Sequence, residues 1–171
     1  DIISAETELA TAPADTDEFL ISDAGTLKRI DASLIGGGGK VLQVVSTALT
    51  SVTSTTSTSY VSTGLAASIT PSATSSKVLI MAGGPVYNNI ADKKLYGTIY
   101  RDSTDLGNGA MYVASNNAST FQANLFAAFL DSPSTTSSTT YTYYHKVDSG
   151  VTGYISIANY TSTITLIEIG A

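Results

Sequence analysis

The sequence predicts an all-β fold, a sandwich or barrel of short antiparallel strands. Three observations predict it. Runs rich in β-branched and aromatic residues alternate with Ser, Thr, Asn and Gly clusters from residue 41 to the end. Apolar and aromatic side chains recur with period two at Tyr141, Tyr143, His145 and Val147, and again at Ile155 and Ile157. No segment in that region reads convincingly as a helix.

The elements follow in chain order. Residues 1–40 hold eight acids and three bases, whereas the remainder holds six acids and five bases. That shift coincides with Gly36-Gly37-Gly38-Gly39, where four residues without Cβ make a flexible joint cheap. The expected organisation is a collar or stalk module over 1–35, a glycine linker over 36–40 and a β-sandwich head over 41–171. Within the first module, Glu18–Ser22 and Thr26–Ile30 flank Asp23-Ala24-Gly25, a turn that Asp can brace and Gly can enter at positive φ. This predicts a β-hairpin, which is marginal in water by itself and needs something to pack on. Asp31–Ile35 fits one helical turn, with Asp31 as N-cap and Gly36 as terminator.

The head is expected to contain nine strands: Val41–Leu49, Tyr60–Thr70, Lys77–Tyr87, Lys93–Arg101, Ala110–Ser115, Thr120–Asp131, Thr140–Val147, Gly153–Ala158 and Thr163–Ile169. Nine strands suffice for two packed sheets. Val78-Leu79-Ile80-Met81 is apolar without alternation, which predicts cover on both faces and therefore a neighbouring subunit. The hydroxyl-rich tracts Thr50–Ser59 and Ser132–Thr140 run directly into strand sequences, so they read as ordered hairpin edges with mobile tips.

Composition excludes several functions. At 171 residues the chain is one domain with a short appendage. Charged residues make up only 13%, and 48 residues are Ser or Thr, so hydroxyls must coat the surface. A formal net charge of -6 and a pI of about 4.4 argue against nucleic acid, which demands a concentrated basic face. No apolar run approaches the roughly 18 residues of a membrane span, so a soluble chain without membrane insertion is expected. The absence of Cys removes disulfides and thiolate chemistry. Starting at Asp1 without Met or a signal segment, the chain reads as the visible part of something longer.

No catalytic constellation emerges, and the chain is read as a non-enzyme that needs no cofactor and no metal. Gly36–Lys40 fails the phosphate-loop pattern, because Leu34 and Val41 stand where Gly and Ser or Thr are required. His145 is the sole His, and an ordinary strand histidine is preferred to a metal ligand shared by copies on an axis. Asp15, Asp17 and Glu18 lack the register of a calcium loop and read as a solvated acidic turn. The head carboxylates Asp92, Asp102, Asp105, Asp131, Asp148 and Glu168 fall mostly in turn sequences, where Asp serves the backbone. Asn117-Ala118-Ser119 and Asn159-Tyr160-Thr161 match the glycosylation pattern only incidentally.

Several segments resemble the distal domain of bacteriophage tail fibres. They are Val41–Val45, Tyr60–Leu65, Ile69-Thr70-Pro71, Ser75–Ile80, Tyr100–Thr104 and the ending Thr163–Ala171. Asp15–Asp23 with Leu27–Ile30 resembles a module recurring upstream of such heads, notably in phages of marine bacteria. The resemblance covers most of the chain, rests on strand and turn motifs, and implies a homotrimer with a jelly-roll-like sandwich head. It further implies a location on the virion at the distal tail fibre, other virion or tail proteins joined through the N-terminal side, and a host receptor as partner. The alternative is a structural head-fibre, collar or decoration protein without receptor binding.

The residues themselves suggest where a receptor would bind. Tyr presents an aromatic face at low entropic cost together with a hydroxyl. Three turn-rich segments, 85–92, 107–119 and 158–162, set Tyr beside amides with almost no charge. The candidate receptor-binding residues are Tyr87, Asn88, Asn89, Tyr112, Asn116, Asn117, Asn159 and Tyr160, a combination suited to a neutral glycan.

Overall fold

The structure, a computed structural model, describes residues 17–31, 40–115, 121–157 and 159–170. The chain divides into two units, Asp1–Gly39 and Lys40–Ala171. Among the described residues there is no helix.

In the first unit β1 (Glu18–Asp23) pairs antiparallel with β2 (Thr26–Asp31). The register closes at Asp23 opposite Thr26, leaving a two-residue turn in which Ala24 and Gly25 have φ of 49° and 84°. Positive φ at both central positions matches the right-handed twist of the strands. The Gly was expected to adopt it, but Ala24 is forced into the same region. Lys28 pairs with Asp23, and Arg29 with Glu18 at 2.6 Å. The predicted helical turn over 31–35 lies outside the described residues except for Asp31, which ends β2 instead of capping a helix. Replacing Ala24 with Asn, which tolerates this conformation better, is expected to stabilise the hairpin by about 0.5–1 kcal/mol. Slower amide exchange across residues 18–31 would register it, and unchanged exchange would contradict it.

The second unit contains β3 (Val41–Leu49), β4 (Thr53–Thr55), β5 (Val61–Ile69), β6 (Lys77–Asn88), β7 (Leu95–Arg101), β8 (Thr104–Asp105), β9 (Tyr112–Ala114), β10 (Phe121–Asp131), β11 (Thr139–Val147), β12 (Gly153–Ile155) and β13 (Ser162–Ile169). All pairings are antiparallel. One sheet runs β3-β13-β6, with β10 along the other edge of β6 and β12 and β4 continuing beyond the end of β13. The other runs β5-β11-β7, flanked by β8 and β9. With the short β4, β8 and β12 set aside, the eight remaining strands appear in the orders first-eighth-third-sixth and second-seventh-fourth-fifth. That double Greek key makes the unit a jelly-roll sandwich.

Alternation sorts each strand into an inner and an outer row. Tyr141, Tyr143, His145 and Val147 all point inward, as their spacing predicts. They meet Leu65 and Ile69 of β5, Leu95 and Ile99 of β7, and Val78, Ile80, Ile164 and Leu166 of the facing sheet. Each fully buried aliphatic side chain contributes about 1.5–3 kcal/mol. Val78 and Ile80 belong to this core, whereas Leu79 and Met81 lie half-buried on the outer face. The strand predicted over 153–158 stops at Ile155, because Ser156 takes φ of 54° and turns its hydroxyl to the Leu49 carbonyl at 2.8 Å. The Thr50–Ser59 tract contains β4 and a turn held by its own hydroxyls. There Thr55 Oγ1 accepts from the Ser57 amide at 3.0 Å, and Ser57 Oγ donates to the Ser59 carbonyl at 2.6 Å.

One end of the sandwich is closed by polar groups. Gln43, Glu168, Val78 and Asp131 stand in one cross-strand row, and both carboxylates point into the interior. Glu168 accepts from Gln43 Nε2 at 2.6 Å and from the Ser72 amide and hydroxyl at 2.7 Å each. Asp131 accepts from Arg101 Nη1 at 2.8 Å through both oxygens, and from Tyr141 Oη at 2.7 Å. Each carboxylate thereby ties the six-stranded sheet to the facing sheet or to the segment that leaves it.

Candidate functional site

The outer face of the five-stranded sheet carries a cluster of tyrosines. Outward positions on β7 are Tyr96, Thr98 and Tyr100, and those on β11 are Thr142, Tyr144 and Lys146. The register sets Lys146 opposite Tyr96 and Tyr144 opposite Thr98, so Tyr144 lies diagonal to Tyr100. Those two rings stack with centroids 4.1 Å apart and planes 30° from parallel. Tyr60, just before β5, stands 6.4 Å from Tyr100. The Lys146 ammonium sits over the Tyr60 ring at 4.7 Å and over Tyr96 at 5.1 Å, held by cation–π attraction.

Hydrogen bonds fix the rim. Tyr60 Oη donates to the Gly109 carbonyl, and Tyr96 Oη donates to Asp148 at 3.1 Å. Asp105 accepts from Thr98 Oγ1 at 2.5 Å and from the amides of Gly107 and Gly109 at 2.9 and 3.1 Å. This cage holds the loop over 105–111 beside Tyr60. A Cβ at Gly107 would meet Thr98 Oγ1 at 2.3 Å, so only glycine lets the loop approach this closely. Burial, followed by the Asp105 carboxylate and the neighbouring phenols, pushes Tyr60 up to about 12. Burial also raises Tyr96 and Tyr100, with Asp148 and Asp105 adding to it respectively. The three phenols remain protonated at neutral pH. Tyr60 and Tyr96 already donate at the rim and keep acceptor lone pairs, Tyr100 can both donate and accept, and all three rings offer stacking surface.

This chemistry suits a ligand that combines an apolar ring face with hydroxyls. It does not suit proton transfer, because the two carboxylates at the rim, Asp105 and Asp148, accept hydrogen bonds from backbone amides and side-chain hydroxyls. Aromatic platforms also stack nucleobases, but single-stranded nucleic acid additionally needs a basic groove, and this platform presents the single cation Lys146.

The residues expected from sequence do not form one surface. Tyr87 lies on the outer face of the other sheet, 5.5 Å from Tyr154 in ring centroids and opposite Gln122. Asn88 is fully buried; its amide donates to the Lys93 carbonyl at 2.7 Å and accepts from the Ile90 amide at 3.1 Å, bracing its own turn. Asn89 accepts from the Thr152 amide at 3.1 Å. Tyr112 turns inward across Gly97, stacks on Tyr143 at 5.8 Å and buries its hydroxyl, which leaves the residue partly buried. Asn116 and Asn117 lie outside the described residues. Asn159 is exposed with φ of 71°, and Tyr160 beside it is 56% exposed. His145 is buried between the sheets, and burial lowers it to about 4, so it stays neutral at neutral pH.

Tyr60, Tyr96, Tyr100, Tyr144 and Lys146 were not expected as a site, because strands were assigned to the sandwich and loops to recognition. The signal was present in the parity of the strands. Tyr144 breaks the inward rhythm of Tyr141, Tyr143 and His145, and Tyr96 and Tyr100 share one face of β7.

No protein-family model matches the sequence, and no curated protein matches it. Similar solved structures come from infectious bursal disease virus. One, of virus-derived T=1 particles, is 9% identical with a TM-score of 0.44, covering 86% of this chain and 43% of that one. The VP2 protein in derived T=1 particles is 12% identical with a TM-score of 0.40, covering 94% and 47%. The Gx strain structure is 14% identical with a TM-score of 0.37, covering 86% and 44%. The chain thus spans less than half the length of these structures.

Proposed function

We propose that the chain is a virion tail-fibre protein whose trimeric distal head adsorbs to a host surface glycan through the tyrosine platform. The observation that carries the reading is the contiguous array of Tyr60, Tyr96, Tyr100 and Tyr144 around Lys146 on the outside of a rigid sheet. A pyranose can stack its C–H face on the Tyr100–Tyr144 pair while its hydroxyls meet phenol and ammonium donors. The reading is of a binding protein, not an enzyme, with further virion or tail proteins joined on the N-terminal side. A single site of this kind binds weakly, and three on one trimer gain roughly 100-fold or more on a repetitive receptor.

Replacing Tyr100 and Tyr144 together with alanine is expected to reduce adsorption of the protein to host cells at least tenfold while far-UV circular dichroism stays unchanged. Undiminished adsorption would remove the platform from recognition. Antibody labelling of particles is expected at the tail tip. Labelling spread over the capsid would instead favour a head-fibre or decoration protein.

A further inference from the structure

We propose that the outer face of the six-stranded sheet, together with the open edge of β10, is the surface through which copies of this chain associate. The inference rests on the oligomer of the preceding section but uses the opposite face of the sandwich. Four strands in register place Val44, Ile167, Leu79 and Leu130 in one outward row. Phe126 extends the patch along β10, and Val41 along β3. Of these, Val41, Val44, Phe126 and Leu130 are 61, 58, 64 and 49% exposed. The patch presents on the order of several hundred Å² of apolar surface, comparable with the largest patch a monomer usually exposes, which is often functional.

The character of the face selects a second copy as its occupant. The only charged residues on β3, β4, β6, β10, β12 and β13 are Lys77, Asp131 and Glu168. The two acids point inward, and Lys77 stands at the end of the face. A charged partner therefore finds nothing to pair with, whereas an identical neutral face meets it without stranding an ion. The next row carries hydroxyls already satisfied: Ser46 Oγ lies 3.0 Å from Thr165 Oγ1 and also donates to the Ile164 carbonyl at 3.3 Å. Covering them leaves no orphan polar group.

The edge argues the same way. Among the described residues β10 pairs only with β6, so an eleven-residue strand, FQANLFAAFLD, keeps one edge open without Pro, Gly, Lys or bulge to protect it. An unguarded apolar edge invites uncontrolled pairing. Self-association into a closed oligomer covers it wherever the chain itself is present.

The test uses the full chain, which lacks Cys, so a single introduced thiol reports on its own surroundings. Light scattering at micromolar concentration is expected to show an oligomer for the parent chain. The Val44→Glu, Leu130→Glu variant, altered only at exposed positions, is expected to be monomeric with unchanged circular dichroism and association weakened at least 100-fold. In Leu130→Cys the thiol should react at least tenfold more slowly at micromolar concentration than after dilution to dissociation. Ser68→Cys, on the opposite sheet, should react equally in both. A monomeric parent chain, or an oligomer in which both the double substitution and the thiol go unnoticed, would overturn the assignment. Tyr100→Ala, Tyr144→Ala tests adsorption independently, so an oligomer that assembles by another face but still adsorbs overturns this inference alone.

Discussion

Replacing Asp131 with alanine is expected to destabilise the head by about 3–4 kcal/mol, which urea denaturation at neutral pH would read as a lowered midpoint with unchanged slope. The carboxylate is 7% exposed, and it accepts from two donors that lie beneath it in the facing sheet, Arg101 and Tyr141. Removing it leaves the guanidinium, itself partly exposed, without its counter-ion, and strands the Tyr141 hydroxyl in the core. Water can reach the first and not the second. Adding Tyr141→Phe to the alanine variant is therefore expected to restore about 1 kcal/mol, because the orphan donor goes with it. Tyr141→Phe alone should cost about 1 kcal/mol. If the alanine variant unfolds within 1 kcal/mol of the parent, the clamp holds nothing.

Glu168 predicts the second large effect, and it depends on pH. Burial by itself would raise this carboxyl. Donation from the Gln43 side chain and from the Ser72 side chain and amide outweighs burial and lowers it from the ordinary 4.5 to about 2. A depressed folded-state value contributes stability that is fully present above about pH 4.5 and is lost as pH falls toward 2. That contribution is about 2–4 kcal/mol. Glu168→Gln cannot reproduce the arrangement, since its NH2 would face Gln43 Nε2, which is fixed by its own donation to the Thr70 carbonyl at 2.7 Å. At pH 7 the glutamine variant should be about 1–3 kcal/mol less stable than the parent, and the difference should shrink toward pH 3. A difference that stays constant between those pH values would show that the carboxylate's ionisation is not what holds this end closed.

The strands of the head were legible because alternation in an antiparallel sandwich is imposed residue by residue. Thr140–Val147 announces itself through period two and Val41–Leu49 through its β-branched and apolar run, and the observed elements match them to within one residue. Short strands such as β4 and β8 were not legible, since two or three Thr, Ser and Asp residues carry no period and form a ladder only when a neighbour supplies one. The tyrosine platform was illegible for a different reason. Tyr60, Tyr100 and Tyr144 meet only because β11 lies between β5 and β7, a neighbourhood set by topology and not by spacing. Where the side chains of the loop candidates go was not legible either, because local backbone needs decide it. Asn88 is bound up in its own turn, and Gly97 opens the space that draws Tyr112 inward.

The place of β13 in the sheet dictates when folding can finish. It lies between β3 and β6, pairing with Leu49 through Val41 on one side and with Gly83 through Lys77 on the other. During synthesis β3 and β6 therefore emerge long before the strand that must separate them, and they cannot close on each other without excluding it. The first strand of the head waits on the ribosome for more than a hundred residues with its apolar side chains uncovered. Long-range pairing of this kind is slow and exposed to aggregation. The six-stranded sheet can therefore close only once β13 has been made, and a chain truncated before Ser162 has a main sheet that lacks its middle.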